Sequence, residues 1–130
     1  MKRYEMDVRI YYEDTDAGGV VYHTNHIKYM ERARTEFLNS LGKQSLAQYH
    51  GRGMFFVVTH VDIKYRHPAR LGDLLRVTAE LSEVRSASMS FRQELRRGDT
   101  LIAEATISIA LTDFHKVIRL PQEFRAALAQ

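Results

Sequence analysis

Cysteine is absent from the sequence. Disulfides and thiolate metal sites are therefore excluded, and nothing calls for an oxidising compartment. Long apolar runs are missing too; no stretch approaches the roughly 20 residues that a membrane-spanning helix needs. The first residues, Met1-Lys2-Arg3-Tyr4-Glu5-Met6-Asp7, turn acidic at once and lead into no apolar segment. That lacks the pattern of a secretory signal, and the cytoplasm is the expected location. Repeats, low-complexity tracts and linkers do not occur. Blocks of like charge are also absent: the net charge is +3 and the charges are scattered. Such a distribution reads as solvated surface, not as a nucleic-acid face. Gly-x-Ser-x-Gly elbows, phosphate-binding glycine-rich loops and kinase signatures are missing as well.

What is present is an ordinary globular balance, with 45% hydrophobic and 27% charged residues in 130. That length fits one domain, residues 1–130, able to bury its own core. The organising signal is alternation. Tyr4, Met6, Val8, Ile10 and Tyr12 are apolar between Glu5, Asp7 and Arg9. The same period predicts four more strands. Val57, Val61, Ile63 and Tyr65 share one face of the second, and Leu75, Val77, Ala79 and Leu81 one face of the third. Met89, Phe91 and Leu95 mark the fourth, and Leu101 to Leu111 the fifth and most apolar. Tyr11, Val58, Ile102 and Ala110 are expected on the outer face, a hint of self-association.

The period changes to three and four residues at Ile27, Met30, Ala33, Phe37, Leu38 and Leu41. This predicts one helix of about four turns. Thr24 or Asn25 can cap it and Gly42 stops it. Pro121 opens a short second helix with Phe124 and Leu128 on one face. Arg97-Gly98-Asp99 and Ser86 to Ser88 read as hairpin turns. Strand, helix and four strands with short links give an α+β layer structure with an antiparallel sheet. Glu31 and Glu36, off the helix's apolar stripe, are expected to pair with Arg32, Arg34 or a partner subunit.

The chemistry concentrates in Glu13-Asp14-Thr15-Asp16-Ala17-Gly18-Gly19-Val20-Val21-Tyr22-His23-Thr24-Asn25-His26, between the first strand and the long helix. Glycines permit close backbone approach. A helix start offers unpaired N–H groups and a positive dipole end. Together they suit a developing oxyanion, and a carboxylate aimed at the same point can serve as nucleophile or general base. Asp14 and Asp16 as mere turn or cap residues, and His23 and His26 as solvated helix-start residues, are the simpler readings of each alone. The combination of Gly-Gly, two carboxylates and two histidines exceeds what a cap needs. A calcium loop starting at Asp14 fails, because its twelfth position is Asn25 and not glutamate. Histidine ligation of a metal lacks a Glu-flanked zinc motif, so no metal ligand is assigned.

The stretch Val8-Arg9-Ile10-Tyr11-Tyr12-Glu13-Asp14-Thr15-Asp16-Ala17-Gly18-Gly19-Val20-Val21-Tyr22-His23, with Tyr29-Met30-Glu31-Arg32-Ala33-Arg34-Thr35-Glu36, resembles the YbgC-type acyl-CoA thioesterases. These form part of the 4-hydroxybenzoyl-CoA thioesterase branch of hotdog proteins. Tyr65-Arg66-His67-Pro68-Ala69-Arg70-Leu71-Gly72-Asp73 is similar to the family's entry into its third strand. The resemblance implies a hotdog fold, a five-stranded antiparallel sheet wrapped around one long central helix. It also implies dimers with a continuous sheet, commonly paired into homotetramers, and active sites at the dimer interface. By the same resemblance Asp16 matches the catalytic carboxylate. His23 matches the position whose backbone N–H meets the thioester carbonyl and whose ring assists. Tyr12 and Asn25 match positions near the pocket. Arg85 and Ser86 fall where coenzyme A lies, Ser86 standing in place of a usual glycine, and His26 replaces a usual aromatic. The implied reaction hydrolyses an acyl-CoA to free acid and coenzyme A, with no metal or resident cofactor. Arg85 and Lys116 are candidates for its phosphates. Acyl carrier protein is a possible partner, and nucleic acid is not. Two rival readings are a dehydratase, against which the Asp-Ala-Gly-Gly loop argues, and a non-catalytic acyl-thioester adaptor of a membrane-associated complex.

Overall fold

The structure, a computed structural model, describes residues 2–130. In chain order the elements are β1 (Arg3–Arg9), α1 (Asn25–Asn39), α2 (Leu46–Gly51), β2 (Phe55–Tyr65), β3 (Leu74–Val84), β4 (Ser88–Arg97), β5 (Thr100–Thr112) and α3 (Gln122–Leu128). Single 3₁₀ turns lie at Tyr12–Asp14 and Gly42–Gln44. The five strands form one antiparallel sheet in the order β1-β3-β4-β5-β2. Among the described residues no helix is long and apolar enough to cross a membrane.

Residues directly opposite on neighbouring strands share a face. Met6–Val77, Leu81–Phe91, Phe91–Ile107 and Met89–Ile109 are such pairs, and they line the side that faces the helix. Against this face α1 buries Tyr29, Met30, Ala33, Phe37 and Leu38, mainly over β1, β3 and β4. Phe37 meets Phe91 edge-on, with ring centroids 5.2 Å apart. This is the expected hotdog arrangement. The helix ends at Ser40, and Gly42 follows in the left-handed region at φ 62°.

Four details differ from the sequence reading. First, α2 is an unexpected element; it seats Tyr49 edge-on against Phe124 of α3. Second, a β-bulge between Val58 and His60 reverses the phase of β2. Val58 therefore sits opposite Ile109 on the helix side, not the outer one, and Val57 opposite Ala110 on the outer side. Third, Ile102 is buried in the core instead of lying on the outer face, while Ala110 keeps that face but is covered there. The ladder to β4 skips Ile102, a second bulge, and Ala110 lies between its cross-strand neighbours Ser88 and Val57. Fourth, Arg34 makes no carboxylate pair. It is buried beneath α1, where its Nη1 donates to Gln93 Oε1 at 2.9 Å. Gln93 Nε2 in turn donates to the carbonyls of Met30 and Thr78. No ion pair forms at Glu31 or Glu36 among the described residues.

Candidate active site

The segment between β1 and α1 folds back on itself as a small hairpin. Asp16 N donates to Val20 O at 2.9 Å and Tyr22 N to Asp14 O at 3.0 Å, with a bridge between Thr15 and Val21. Gly19, at φ 77°, supplies the left-handed residue that the reversal requires. The β2–β3 connection staples this hairpin in place: Val21 N donates to Ala69 O at 2.8 Å, Leu71 N to Gly19 O at 3.3 Å. That connection is itself tied by Asp73, whose carboxylate accepts from Arg70 N and from Arg97 Nη1 at 2.9 and 2.8 Å. Burial would raise the Asp73 carboxyl, but these donors outweigh it and hold it below the usual range.

Asp16 stands exposed on the hairpin. Its Oδ1 accepts from Gly18 N at 2.9 Å and Val20 N at 3.4 Å. Its Oδ2 accepts no hydrogen bond among the described residues. One oxygen thus braces the turn and fixes the carboxylate's direction, while the other is open. A Cβ on Gly18 would come within 3.3 Å of Oδ1 and press on the carboxylate.

The hairpin leads into the start of α1, where Asn25 N donates to Tyr22 O at 2.9 Å. Thr24 is the N-cap residue, yet no side chain caps the helix and its first turn carries no acidic residue. The amides of His23 and Thr24 donate to no protein acceptor among the described residues. Free N–H groups at a helix start, with the positive end of the dipole behind them, are a ready seat for a carbonyl oxygen that becomes an oxyanion.

Asn25 acts as a brace, its Nδ2 donating to Asp14 O at 2.8 Å. Tyr12 lies in the 3₁₀ turn, 82% exposed. The His23 ring is exposed and rests against Tyr22, with centroids 4.6 Å apart. His26 is buried, and burial above all lowers its pKa, so the imidazole is neutral near pH 7. Its Nδ1 lies 3.1 Å from His23 O; since a carbonyl only accepts, Nδ1 carries the proton. Two groups escaped the sequence reading. Tyr65 Oη donates to the same His23 carbonyl at 2.6 Å. Tyr29 Oη is buried without a hydrogen-bond partner, and burial followed by the nearby Asp14 carboxylate pushes its phenol well up. Both stand at the head of stretches that carry the family resemblance, and Tyr65 also falls on an apolar stripe, but neither was given a role.

Tyr12, Asp16, His23 and Asn25 all lie on the segment that runs from the end of β1 to the first residue of α1. Arg85 and Ser86 do not. They form the β3–β4 turn at the far end of the eleven-residue β3, a strand roughly 35 Å long at the usual rise per residue. Arg85 is also engaged locally, pairing with Glu83 at 2.7 Å and donating to Ser90 Oγ at 3.1 Å. In a single chain Asp16 and His23 are both exposed.

Residues 10–128 match the family model of the thioesterase-like superfamily. The chain is 41% identical over 126 residues to the acyl-CoA thioesterase YbgC of Haemophilus influenzae, covering 95% of this chain and 93% of that protein. It is 40% identical over 109 residues to the acyl-CoA thioester hydrolase YbgC of Escherichia coli, covering 82% and 79%. Among solved structures it is similar to a probable thioesterase from Bartonella henselae, with TM-score 0.85 and 32% identity over 92% of this chain and all of that one. A hypothetical protein from Thermus thermophilus superposes with TM-score 0.91 at 30% identity, covering 98% and 96%.

Proposed function

The chain belongs to the thioesterase-like superfamily and, within it, to the YbgC acyl-CoA thioesterases, and from that premise we propose how its own residues carry the reaction. It is a thioester hydrolase, and its substrates are acyl-CoA thioesters. The observation that carries the residue assignment is the uncapped start of α1, with free amides at His23 and Thr24, beside a carboxylate whose Oδ2 is open.

The acyl thioester lies with its carbonyl oxygen toward those amides, which stabilise the negative charge that develops on attack; one such donor is worth about 3 kcal/mol. Asp16 supplies the attack, either directly, giving a mixed anhydride, or by taking a proton from a water that adds to the carbon. In both routes the carbon–sulfur bond breaks and coenzyme A leaves as thiolate, which takes a proton from water, from His23 or, in the second route, from Asp16; in the first route water then hydrolyses the anhydride, releasing the free acid and restoring the Asp16 carboxylate. No metal or resident cofactor takes part in this scheme. Tyr12 borders the acyl side, and Asn25 keeps the hairpin and helix start in register.

The chain works as a homo-oligomer. In support, β2 is an edge strand of eleven residues, and its helix-side residues Val58, Val61 and Tyr65 are 49%, 39% and 44% exposed. Long apolar edges are templates for pairing. Antiparallel pairing of two β2 strands about a twofold axis sets the partner's β3–β4 turn at the same end as Asp16. Arg85 and Ser86 then serve coenzyme A from across the interface, with Arg85 exchanging its Glu83 partner for a phosphate.

A panel of acetyl-, hexanoyl-, palmitoyl- and benzoyl-CoA, read by release of free thiol, tests the reading. Turnover of at least one member is expected. Tight binding of the panel without thiol release favours the adaptor instead.

A further inference from the structure

Two side chains converge on one backbone oxygen at the start of α1. Tyr65, the last residue of β2, donates its hydroxyl to His23 O at 2.6 Å, across 42 residues of sequence. His26 Nδ1 approaches the same oxygen at 3.1 Å from the first turn of the helix. The rings that deliver them are packed together, His26 edge-on to Tyr65 with centroids 4.9 Å apart. Neither contact is needed to complete the helix. The carbonyl is at a solvent-exposed residue, and a helix N-terminus leaves donors, not acceptors, to be satisfied.

The consequence lies on the other side of the peptide. The unit joining His23 to Thr24 is planar and trans, so its N–H points opposite to its C=O. Anchoring the His23 oxygen therefore fixes the direction of the Thr24 N–H, an amide with no protein acceptor among the described residues. Hydrogen bonds to the oxygen also polarise the unit and make that N–H a better donor. Burial raises the Tyr65 phenol above its ordinary value, so the hydroxyl keeps its proton across the working pH range.

We infer that Tyr65 is a positioning residue for the hydrolysis: by holding the His23 carbonyl it aims the Thr24 amide at the thioester oxygen. The inference rests on the reading that the helix start receives that oxygen, and it selects Thr24 as the aimed donor. It also ties the oxyanion site to the edge strand.

Tyr65→Phe removes the hydroxyl and keeps the ring against His26. The loss of one neutral hydrogen bond is expected to lower kcat about tenfold. KM should stay within about twofold, since the lost interaction is realised at the transition state. A role in folding alone would leave the carbonyl stretch of a bound thioester unmoved, and that is the second readout. The panel member that turns over fastest, labelled with carbon-13 at its carbonyl, is bound to Asp16→Asn, and the carbonyl stretch is measured by isotope-edited infrared difference spectroscopy. The band is expected at lower frequency than in free thioester, and in Tyr65→Phe/Asp16→Asn it should move back toward the free value. A band unmoved by Tyr65→Phe overturns the inference, whatever happens to kcat. If Asp16→Asn itself shows no displacement, the reading of the helix start as the oxygen's seat falls with it. His26→Phe, which removes the other contact to the same carbonyl, keeps the test open if Tyr65→Phe does not fold; its band should move in the same direction.

Discussion

Asp16 holds its turn with one oxygen and presents the other. This division makes Asp16→Asn a clean substitution, because an amide oxygen still accepts from Gly18 and Val20 while the charge is gone. Turnover is expected to fall at least about a thousandfold, with the thermal midpoint unchanged within a few degrees; near wild-type rates would remove Asp16 from the chemistry. His23→Ala should cost less, about ten- to a hundredfold, and the opposite ranking would move the chemistry to the imidazole. Gly18→Ala asks a different question. The added Cβ meets Oδ1 at 3.3 Å, so the carboxylate must shift by a few tenths of an ångström. Small misplacements of a reacting group are expensive. About tenfold loss of kcat, with little change in stability, is the expected result of steady-state kinetics and melting. At this scale the sequence was most readable where residue types are chemically unusual together. Asp16, His23 and the two glycines stood out because turns do not need that mixture. Tyr65 did not, because a tyrosine on an alternating strand looks like any other apolar position, and its partner is a backbone atom that no sequence pattern names.

The hairpin that carries Asp16 buries Val21 in the core and is tied by backbone hydrogen bonds to the connection between β2 and β3. Asp73 anchors that connection through Arg97 and the Arg70 amide, and its backbone oxygen accepts from Ile10 N at the end of β1. Its carboxyl titrates lower in the folded chain than in the unfolded one. The linked stability is therefore complete above the unfolded value of about 3.9 and is lost as the pH falls through the folded value. Asp73→Asn is expected to cost about 2 kcal/mol at pH 7. In urea titrations the gap from wild type should narrow below about pH 4 and nearly close where both carboxyls are protonated; a constant gap across that range would mean the anchor is not ionic. The elements themselves were largely written in the alternation, since Leu75 to Leu81 and Met89 to Leu95 point where their period says. The misplacements of Val58 and Ile102 share one cause. A period of two is destroyed by a single extra residue, so the bulges at Thr59 and Ile102 moved Val58 to the helix side and drew Ile102 into the core. Arg34 was misplaced for another reason: its burial depends on Gln93 waiting on β4, a pairing across 59 residues.

The molecule as a whole presents two unlike edges. At one side β1 is seven residues long, with Arg3, Glu5 and Asp7 engaged in ion pairs with β3 residues or with each other. At the other, β2 offers eleven residues whose helix-side groups lack a cover. Charge blunts an edge and bare apolar length invites pairing, so self-association belongs at β2. Val61 lies near the middle of that strand, where a twofold axis would bring it close to its own copy. Because it is already exposed in the single chain, Val61→Glu should leave the fold intact and place two carboxylates against each other. Sedimentation is expected to show monomers with unchanged far-UV circular dichroism, and turnover should drop at least about tenfold, since the coenzyme A contacts would come from the partner. Val61→Lys should behave alike for the same reason of sign. Mixing the two variants then puts opposite charges across the axis, and assembly and activity should return together. Monomers with full turnover would show that one chain holds a complete site; assembled and active Val61→Glu would move the interface elsewhere. Recovery only in the mixture would tie the chemistry at Asp16 to the pairing of two β2 edges.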